Sequence, residues 1–298
     1  MTDVLVLGGA GVDTIVRVPE LPLPFADSYP IDTGVHTRAG QTGDFVALGL
    51  AALGLDVHHL DLLGDDPEGD LVRALHRDHG IALTALPQPA GTKRAVNLVG
   101  PDGRRLSLYD TSRARPGDRF PDDVLHPLAA AARHVHVTIT QPCAEALPLL
   151  RETGVPLSTD LHDWDGENPY HEPYALAADV VFLSAAGLTD PERTMRRISE
   201  RGRARIVVAT AGAEGARLLA DGELTHVPPA TPPAPVVDSN GAGDAFAAAF
   251  LYGRLTGADP ERCAHYGALA GAYACTVPAT RTDAIGRDGL LGEGAVTA

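Results

Sequence analysis

The sequence predicts an α/β fold with a mainly parallel sheet flanked by helices, because short apolar segments alternate with helical segments along most of the chain. Residues 4–7 form an apolar run closed by two glycines, which is typical of a buried parallel strand. Residues 43–53 have helical spacing and stop at Gly54, and residues 57–63 form the next predicted strand. Repeated alternation of this kind places helices on both faces of one sheet.

The later part of the chain continues the same pattern. A helix is predicted to begin after Asp66, which caps it, with Pro67 in its first turn, and to end at Gly80. A hairpin is predicted to turn at Asp221-Gly222, and the glycine-rich tail from Gly286 favours poor order. Further strand candidates are residues 134–139, 155–159, 180–184 and 206–210.

Two stretches interrupt the alternation. Residues 21–37 are rich in proline and have no helical period, and residues 94–99 and 105–109 flank a Pro-Asp-Gly turn that predicts a hairpin. We interpret them as a small β-sheet lid on a single domain of residues 1–298, with lid segments at about 14–38 and 92–110. Ordinary surface hairpins are the alternative interpretation.

The charge balance restricts the possible partners. Lys and Arg total 24 against 39 Asp and Glu, and a net charge of -15 repels nucleic acids and anionic membranes. The three cysteines have no spacing typical of a zinc site, and no apolar stretch reaches the ~20 residues that span a bilayer. With no signal-peptide pattern at the start, the sequence predicts a cytoplasmic protein without nucleic acid or membrane partners.

The segment around Asp244 is the strongest indication of chemistry. Gly241, Ala242 and Gly243 lie between an apolar pair and an alanine-rich helical segment, which predicts a tight turn at a helix N-terminus. The unpaired N–H groups there can bind the charge that develops as a phosphoryl group leaves ATP. Asp244, in the first helical turn, is placed to accept a proton from a substrate hydroxyl. The alternative is that Asp244 only stabilises the helix start.

Residues 238–246, Asp-Ser-Asn-Gly-Ala-Gly-Asp-Ala-Phe, resemble the C-terminal signature of the PfkB-type, ribokinase-like carbohydrate kinases. Residues 8–13, 40–54, 63–69 and 209–216 resemble the other motifs of that family, in the family's order. The resemblance implies a Rossmann-like α/β body with a β-sheet lid. It also implies ATP-dependent phosphorylation of a hydroxyl on a small sugar or a sugar-like substrate.

The family motifs imply a role for individual residues of this sequence. Asp244 would be the catalytic base, and Gly241, Ala242 and Gly243 would form the anion hole. Mg²⁺ would accompany ATP, a requirement for a monovalent cation stays open, and the metal ligands stay unknown. The residues implied near the acceptor are Asp13 and Gly40, and those implied at the ATP site are Thr210, Gly212, Gly215, Ser184 and Asn240.

The sequence departs from the family pattern at three places. An asparagine that faces the substrate is replaced by Phe45 in an ungapped match, or by Asp44 after a shift of one residue, and we favour Asp44 as the substrate contact. Ser184 and Gly187 replace the family's Asn-X-X-Glu, which puts its metal-linked water network in doubt. The third departure is the acidic run of residues 160–165, in which Asp160 or Asp163 is a candidate substrate contact and a solvated loop is the alternative. Arg94 and Tyr109 on the lid are further candidate contacts, with a surface position as the alternative for each.

Other functions are weighed against the sugar kinase. A nucleoside kinase shares the fold and the base, and the aromatic Phe45 and Tyr109 keep it open. A catalytically silent metabolite-binding protein is a second alternative. The glycines at residues 8–11 lack the spacing of a dinucleotide motif, and no Walker phosphate loop is present. A lid with exposed strand edges predicts a homodimer through that lid.

Overall fold

The computed structural model describes residues 2–294, so the last four residues of the predicted domain lie outside the described part. That part contains thirteen strands and nine α-helices. The strands are β1 Thr2–Leu7, β2 Val12–Arg17, β3 His36–Ala39, β4 Val57–Leu63, β5 Ala82–Pro87, β6 Arg94–Val99, β7 Arg105–Tyr109, β8 Ala132–Val137, β9 Leu157–Asp160, β10 Val180–Ser184, β11 Ile206–Thr210, β12 Ala216–Ala220 and β13 Glu223–Val227. The helices are α1 Thr42–Ala52, α2 Pro67–Asp78, α3 Asp122–Ala131, α4 Gln141–Thr153, α5 Glu172–Ala177, α6 Pro191–Arg201, α7 Ala242–Leu255, α8 Pro260–Ala274 and α9 Arg287–Gly294.

Nine strands form one sheet in the order β13-β12-β11-β10-β9-β8-β1-β4-β5. The pairs from β11 through β5 are parallel, and β12 and β13 add an antiparallel edge. The central strands are apolar on both faces: Leu5 and Leu7 pack into one core cluster, and Val4 and Val6 pack into another on the opposite face. Burial on both faces explains the continuous apolar run that predicted β1.

Four strands form a separate small sheet in the order β3-β2-β6-β7. β2 pairs with β6 in parallel, and the other two pairs are antiparallel. The predicted hairpin of residues 94–99 and 105–109 is present with those bounds as β6 and β7. The predicted α/β fold with a second, smaller sheet is therefore confirmed.

The two faces of the small sheet differ in character. Neighbours across the strands share a face, so Asp13, Arg38 and Tyr109 lie at positions on one face. Val96 and Leu108 are partners on the opposite face, which also carries Leu98 and Leu106. The first face therefore carries the charged pair Asp13 and Arg38, and the second carries the apolar patch of Val96, Leu98, Leu106 and Leu108.

Most predicted boundaries agree with the structure within two residues. Asp66 caps α2, and its carboxylate accepts a hydrogen bond of 2.8 Å from the Gly69 N–H. The expectation of poor order after Gly286 is wrong up to residue 294, because α9 forms there and buries Leu290 against Leu53 and Tyr252. No helix within residues 2–294 combines the length and the apolar character needed to cross a membrane.

Two histidines are buried inside the large sheet. His134 and His136 of β8 both hydrogen-bond the hydroxyl of Ser158 on β9, at 2.8 and 2.9 Å. Burial lowers the pKa of His134 to about 4 and that of His136 to about 3, so both imidazoles are neutral in the folded protein at neutral pH.

This burial predicts a loss of stability in mild acid. The unfolded chain binds protons at these histidines below about pH 6.5, whereas the folded chain does not until the pH approaches the lowered pKa values. Each histidine should therefore remove up to about 1.4 kcal/mol of the free energy of unfolding per pH unit below pH 6.5. Urea unfolding between pH 7 and pH 5 measures this slope.

A paired substitution tests the assignment. The variant with both His134→Gln and His136→Gln should show a shallower slope than the parent protein. His126→Gln, at an exposed position of α3, should leave the slope unchanged. Equal slopes in all three proteins would contradict a role of the buried pair.

Candidate active site

The N-terminus of α7 is a tight turn of the kind that can bind an anion. Gly241 precedes the helix with φ 77° and ψ 0°, a left-handed conformation that glycine adopts without strain. No side chain caps this helix start, and the Ala242 N–H donates to the Ser239 carbonyl at 3.3 Å. The helix dipole adds positive potential at the same place.

Asp244 lies in the first turn of α7, beside that anion-binding turn. Its carboxylate accepts a 2.5 Å hydrogen bond from the Thr42 hydroxyl at the start of α1. Burial raises the pKa of Asp244 to about 6, and nearby Asp160 raises it too, while His162 and the Thr42 hydrogen bond oppose the rise. A carboxylate with this pKa is ionised at neutral pH and is a stronger base than an exposed aspartate.

Asp160 closes the other side of the turn. It is the last residue of β9, and a Cβ added to Gly243 would lie 3.6 Å from Asp160 Oδ2. Its other oxygen accepts the His162 N–H at 2.8 Å, which fixes the carboxylate at the carboxyl edge of the sheet. Asp160, a candidate substrate contact from the sequence, therefore lies beside the Gly241–Gly243 turn.

The face of the small sheet that carries Asp13 and Arg38 lies across from the start of α7, and the space between the two is the cleft. Asp13 is buried, and its carboxylate lies 3.7 Å from the Arg38 guanidinium and 3.4 Å from the Gln41 side-chain amide. Burial raises the pKa of Asp13, and Arg38 and Gln41 oppose that rise. Arg38 also donates to the Gly40 carbonyl at 2.7 Å and stacks over the Phe45 ring at 4.6 Å.

Charged contacts join the small sheet to the segment that leads into α7. Arg105 of β7 donates to the Asn240 side-chain oxygen, and Arg17 of β2 lies 3.8 Å from Asp238. Asp238 in turn accepts the Asn240 N–H at 2.8 Å. The Asn240 side chain, expected at the ATP site, is thus bound to the small sheet in this structure.

The residues expected at the nucleotide lie along one edge of the large sheet. Ser184 and Thr210 end neighbouring strands and are register partners. Gly212 starts a short 3-10 turn that ends at Glu214, and Gly215 follows it with φ 87°. A Cβ at Gly215 would collide with the Val227 carbonyl oxygen, so the backbone passes closely there.

Asp44 does not reach the cleft, which contradicts its expected role as a substrate contact. Its side chain is fully buried, and one carboxylate oxygen accepts N–H groups from Gly11 and Gln41 at 3.0 Å each. Phe45 takes the cleft position instead, with ring atoms 3.7 Å from the Cβ position of Gly241. The ungapped motif match, which places Phe45 at the family asparagine, is the one that agrees with the structure.

Arg94 is likewise directed away from the cleft, contrary to its expected role. It alternates with Ala95 and so lies opposite the face of Asp13, where it forms ion pairs of 3.2 Å with Glu68 and with Asp110. Tyr109 is on the face of Asp13 and is 70% exposed, so it stays a candidate contact.

Sequence reasoning missed Thr42, Arg38 and Arg105. Thr42 and Asp244 are 202 positions apart, and no local pattern links a hydroxyl to a carboxylate over that separation. A strand at residues 36–39 would have aligned Arg38 with Asp13, but this four-residue strand follows a proline-rich segment and was not predicted. Alternation along β7 could have placed Arg105 on the face of Tyr109.

Comparison with known proteins agrees with this arrangement. The pfkB family carbohydrate kinase family matches residues 177–285. The acarbose 7(IV)-phosphotransferase of Actinoplanes sp. is 61% identical over 97% of this chain and 97% of its own.

Solved structures extend the comparison. A microbiome-derived acarbose kinase aligns with a TM-score of 0.90 at 42% identity, covering 98% of each chain. Arabidopsis thaliana ribokinase complexed with ribose and ATP has a TM-score of 0.80 at 22% identity, also over 98% of each chain, and shows the shared fold. With its fold, its helix-start turn and its relatives in agreement, this chain belongs to the PfkB family of carbohydrate kinases.

Proposed function

We propose that this carbohydrate kinase uses Asp244 as the base that takes the proton from the acceptor hydroxyl. The observation that carries the proposal is the position of Asp244 in the first turn of α7, at a helix start that no side chain caps and 2.5 Å from Thr42 Oγ1. Thr42 fixes the carboxylate, and the raised pKa makes it a more effective base near neutral pH. The N–H groups of residues 241–243 stabilise the negative charge on the transferring phosphoryl group.

The acceptor is proposed from the relatives and from the walls of the cleft. Asp13 and Gly40 belong to the small-sheet side of the cleft, and the Phe45 ring lies between Gly40 and the Gly241 turn. A carboxylate and an aromatic ring on the walls of one cleft suit a sugar hydroxyl and a sugar face. Acarbose is the first acceptor to test, because the relative at 61% identity is an acarbose 7(IV)-phosphotransferase. We treat the chain as one kinase domain in which the small sheet is the lid.

ATP is the phosphate donor, and its proposed site is the edge formed by Ser184, Thr210, Gly212 and Gly215. Mg²⁺ would arrive with the ATP phosphates and neutralise part of their charge. The Ser184–Gly187 segment offers no carboxylate, whereas Asp160 beside Gly243 is an oxygen donor that fits such an ion.

Asp238 is the proposed oxygen ligand for a monovalent cation. Asp238 Oδ2 is buried without a hydrogen-bond partner among residues 2–294, which leaves one oxygen donor for such an ion. Arg17 lies 3.8 Å away and competes for the same charge.

Two alternatives are not favoured. A nucleoside kinase would share the fold, but the relative at 61% identity is a phosphotransferase of acarbose. A silent binding protein would not need the Thr42–Asp244 hydrogen bond or an uncapped α7. A cytoplasmic location is proposed because Cys143, Cys263 and Cys275 are all free thiols.

A homodimer is proposed through the apolar face of the small sheet. Leu106 and Leu108 of β7 are 50% and 53% exposed, and Val96 and Leu98 of β6 share their face. β7 is also an edge strand of its sheet, with one side unpaired among the described strands. A second copy would cover both the apolar face and the strand edge.

The first prediction of the proposed function concerns the catalytic base. Asp244→Asn should lower kcat for acarbose phosphorylation by about 10²–10⁴-fold, because the amide cannot accept the proton. Coupled ADP release with Mg-ATP measures the rate. Asp123→Asn, which removes a first-turn carboxylate from α3, should keep the parent rate. Near-parent turnover by Asp244→Asn would contradict the assignment.

The second prediction concerns the pH dependence. Activity should fall as the pH drops through about 6, because Asp244 becomes protonated there. Thr42→Val should move this acidic limb to higher pH, since the lost hydrogen bond had stabilised the ionised form. Thr42→Ser retains the hydroxyl and should keep the parent profile. A Val variant with an unshifted limb would argue against Asp244 as the titrating group.

The third prediction concerns assembly. The protein should have the mass of a dimer in light scattering at micromolar concentration, and the double variant Leu106→Glu, Leu108→Glu should be a monomer, because two charges cannot be buried in an apolar contact. Leu71→Glu, at an exposed leucine of α2, is the matched control and should stay dimeric. A monomeric parent protein would overturn the proposal.

A further inference from the structure

A cluster of three ionisable side chains is buried behind the active site. Asp44 of α1, His59 of β4 and His76 of α2 are each at most 1% exposed. Their potential ligand atoms lie within 4.8 Å of one another. Asp44 and His59 come from elements that flank β1, and none of the three side chains lines the cleft.

The backbone fixes which atom of each imidazole carries its proton. His59 Nε2 lies 2.9 Å from the Gly8 carbonyl oxygen, and His76 Nδ1 lies 3.0 Å from the Val72 carbonyl oxygen. A carbonyl oxygen only accepts hydrogen bonds, so both of these ring nitrogens carry a hydrogen. The remaining nitrogens, His59 Nδ1 and His76 Nε2, therefore have free lone pairs in the neutral rings, and they are 2.8 Å apart.

Asp44 directs a third electron-rich atom at the same point. Its Oδ2 accepts the N–H groups of Gly11 and Gln41 at 3.0 Å each, which orients the carboxylate. Its Oδ1 is buried and has no hydrogen-bond partner among residues 2–294. This oxygen lies 3.6 Å from His59 Nδ1 and 3.6 Å from His76 Nε2.

Three atoms with lone pairs facing one another repel unless a metal ion or a proton lies between them. A point equidistant from three atoms separated by 2.8, 3.6 and 3.6 Å lies about 2.0 Å from each of them. That is the length of a zinc bond to an imidazole nitrogen or a carboxylate oxygen. We propose that Asp44, His59 and His76 bind a structural divalent transition-metal ion of the zinc class.

The surroundings of the cluster fit this ion. Each histidine donates its other N–H to a backbone carbonyl, which is the usual support of a metal-bound imidazole. Burial lowers the pKa of His59 to about 3 and also lowers the pKa of His76, so both rings are neutral, as metal ligands must be. Burial raises the pKa of Asp44 to about 8, and a bound dication would keep this carboxylate ionised.

The ligand atoms of this site distinguish it from the proposed site of the Mg²⁺ that accompanies ATP. Two imidazole nitrogens suit zinc and similar ions, whereas Mg²⁺ prefers oxygen ligands. Water would complete the coordination as a fourth ligand.

The metal would brace the loops that form the acceptor wall. Asp44 holds the N–H groups of Gly11 and Gln41, and His59 holds the carbonyl of Gly8. Gly11 lies two residues before Asp13, and Gln41 precedes Thr42, the partner of Asp244. The ion would therefore fix the starts of β2 and α1 relative to each other.

The test is the metal content of the tag-free protein produced in zinc-supplemented medium. Mass spectrometry of the dialysed protein should find about one zinc per chain. Cobalt added to the chelator-treated protein should give visible absorption that saturates at one ion per chain. Absence of stoichiometric zinc together with no saturable cobalt spectrum would overturn the proposal, and a proton shared by the two histidines would then account for the contact.

Variants locate the ion without using kinase activity. His76→Gln should lose the bound zinc, and added zinc should raise the Tm of the parent protein but not of this variant. His79→Gln, at an exposed histidine one turn further along the chain, is the matched control and should retain the metal. If His76→Gln does not fold, Asp44→Asn provides the second ligand deletion. Full zinc content in a folded ligand variant would show that the ion binds elsewhere.

Discussion

The hydrogen bond between Thr42 and Asp244 joins the two halves of the site. Thr42 begins α1, directly after β3 of the small sheet, and Asp244 lies in the first turn of α7, so one 2.5 Å contact aligns the small-sheet side of the cleft with the start of α7. α1 and α7 also pack directly: a Cβ at Gly49 would meet Ala248 at 2.7 Å. Such close helix packing leaves little freedom for the two helix starts to move apart.

The electrostatics of the cleft depend on local compensation. The chain carries a net charge of -15, yet the cleft brings together four carboxylates and must also receive the phosphates of ATP. Arg38 and Arg17 on the small sheet lie beside two of these carboxylates, and the start of α7 contributes positive potential without a side chain. Fixed dipoles and nearby guanidinium groups therefore override the overall field where the chemistry is proposed.

The fold could be predicted largely from the sequence, whereas part of the site could not. The strand bounds 57–63, 180–184 and 206–210 follow from apolar runs, and the hairpin of residues 94–109 follows from its turn residues. Asp44 was misassigned because a shift of one residue along a helix start turns a side chain by about 100°. Arg94 was misassigned because the face of a strand depends on pairing with a distant strand, which periodicity does not show. The cluster of Asp44, His59 and His76 joins three elements, and only the tertiary structure brings them together.

The attachment of the small sheet to the body has a consequence for turnover. Arg17, Arg38 and Arg105 each contact the segments before or after the α7–α8 pair, through Asp238, the Ala279 carbonyl and Asn240. To open the cleft, the sheet must exchange these contacts for water. Arg17 and Asp238 are a pair of opposite charges, so dissolved ions weaken their attraction by screening. If the small sheet is the lid that we propose, higher ionic strength would make its opening easier, separately from any effect on the reaction itself.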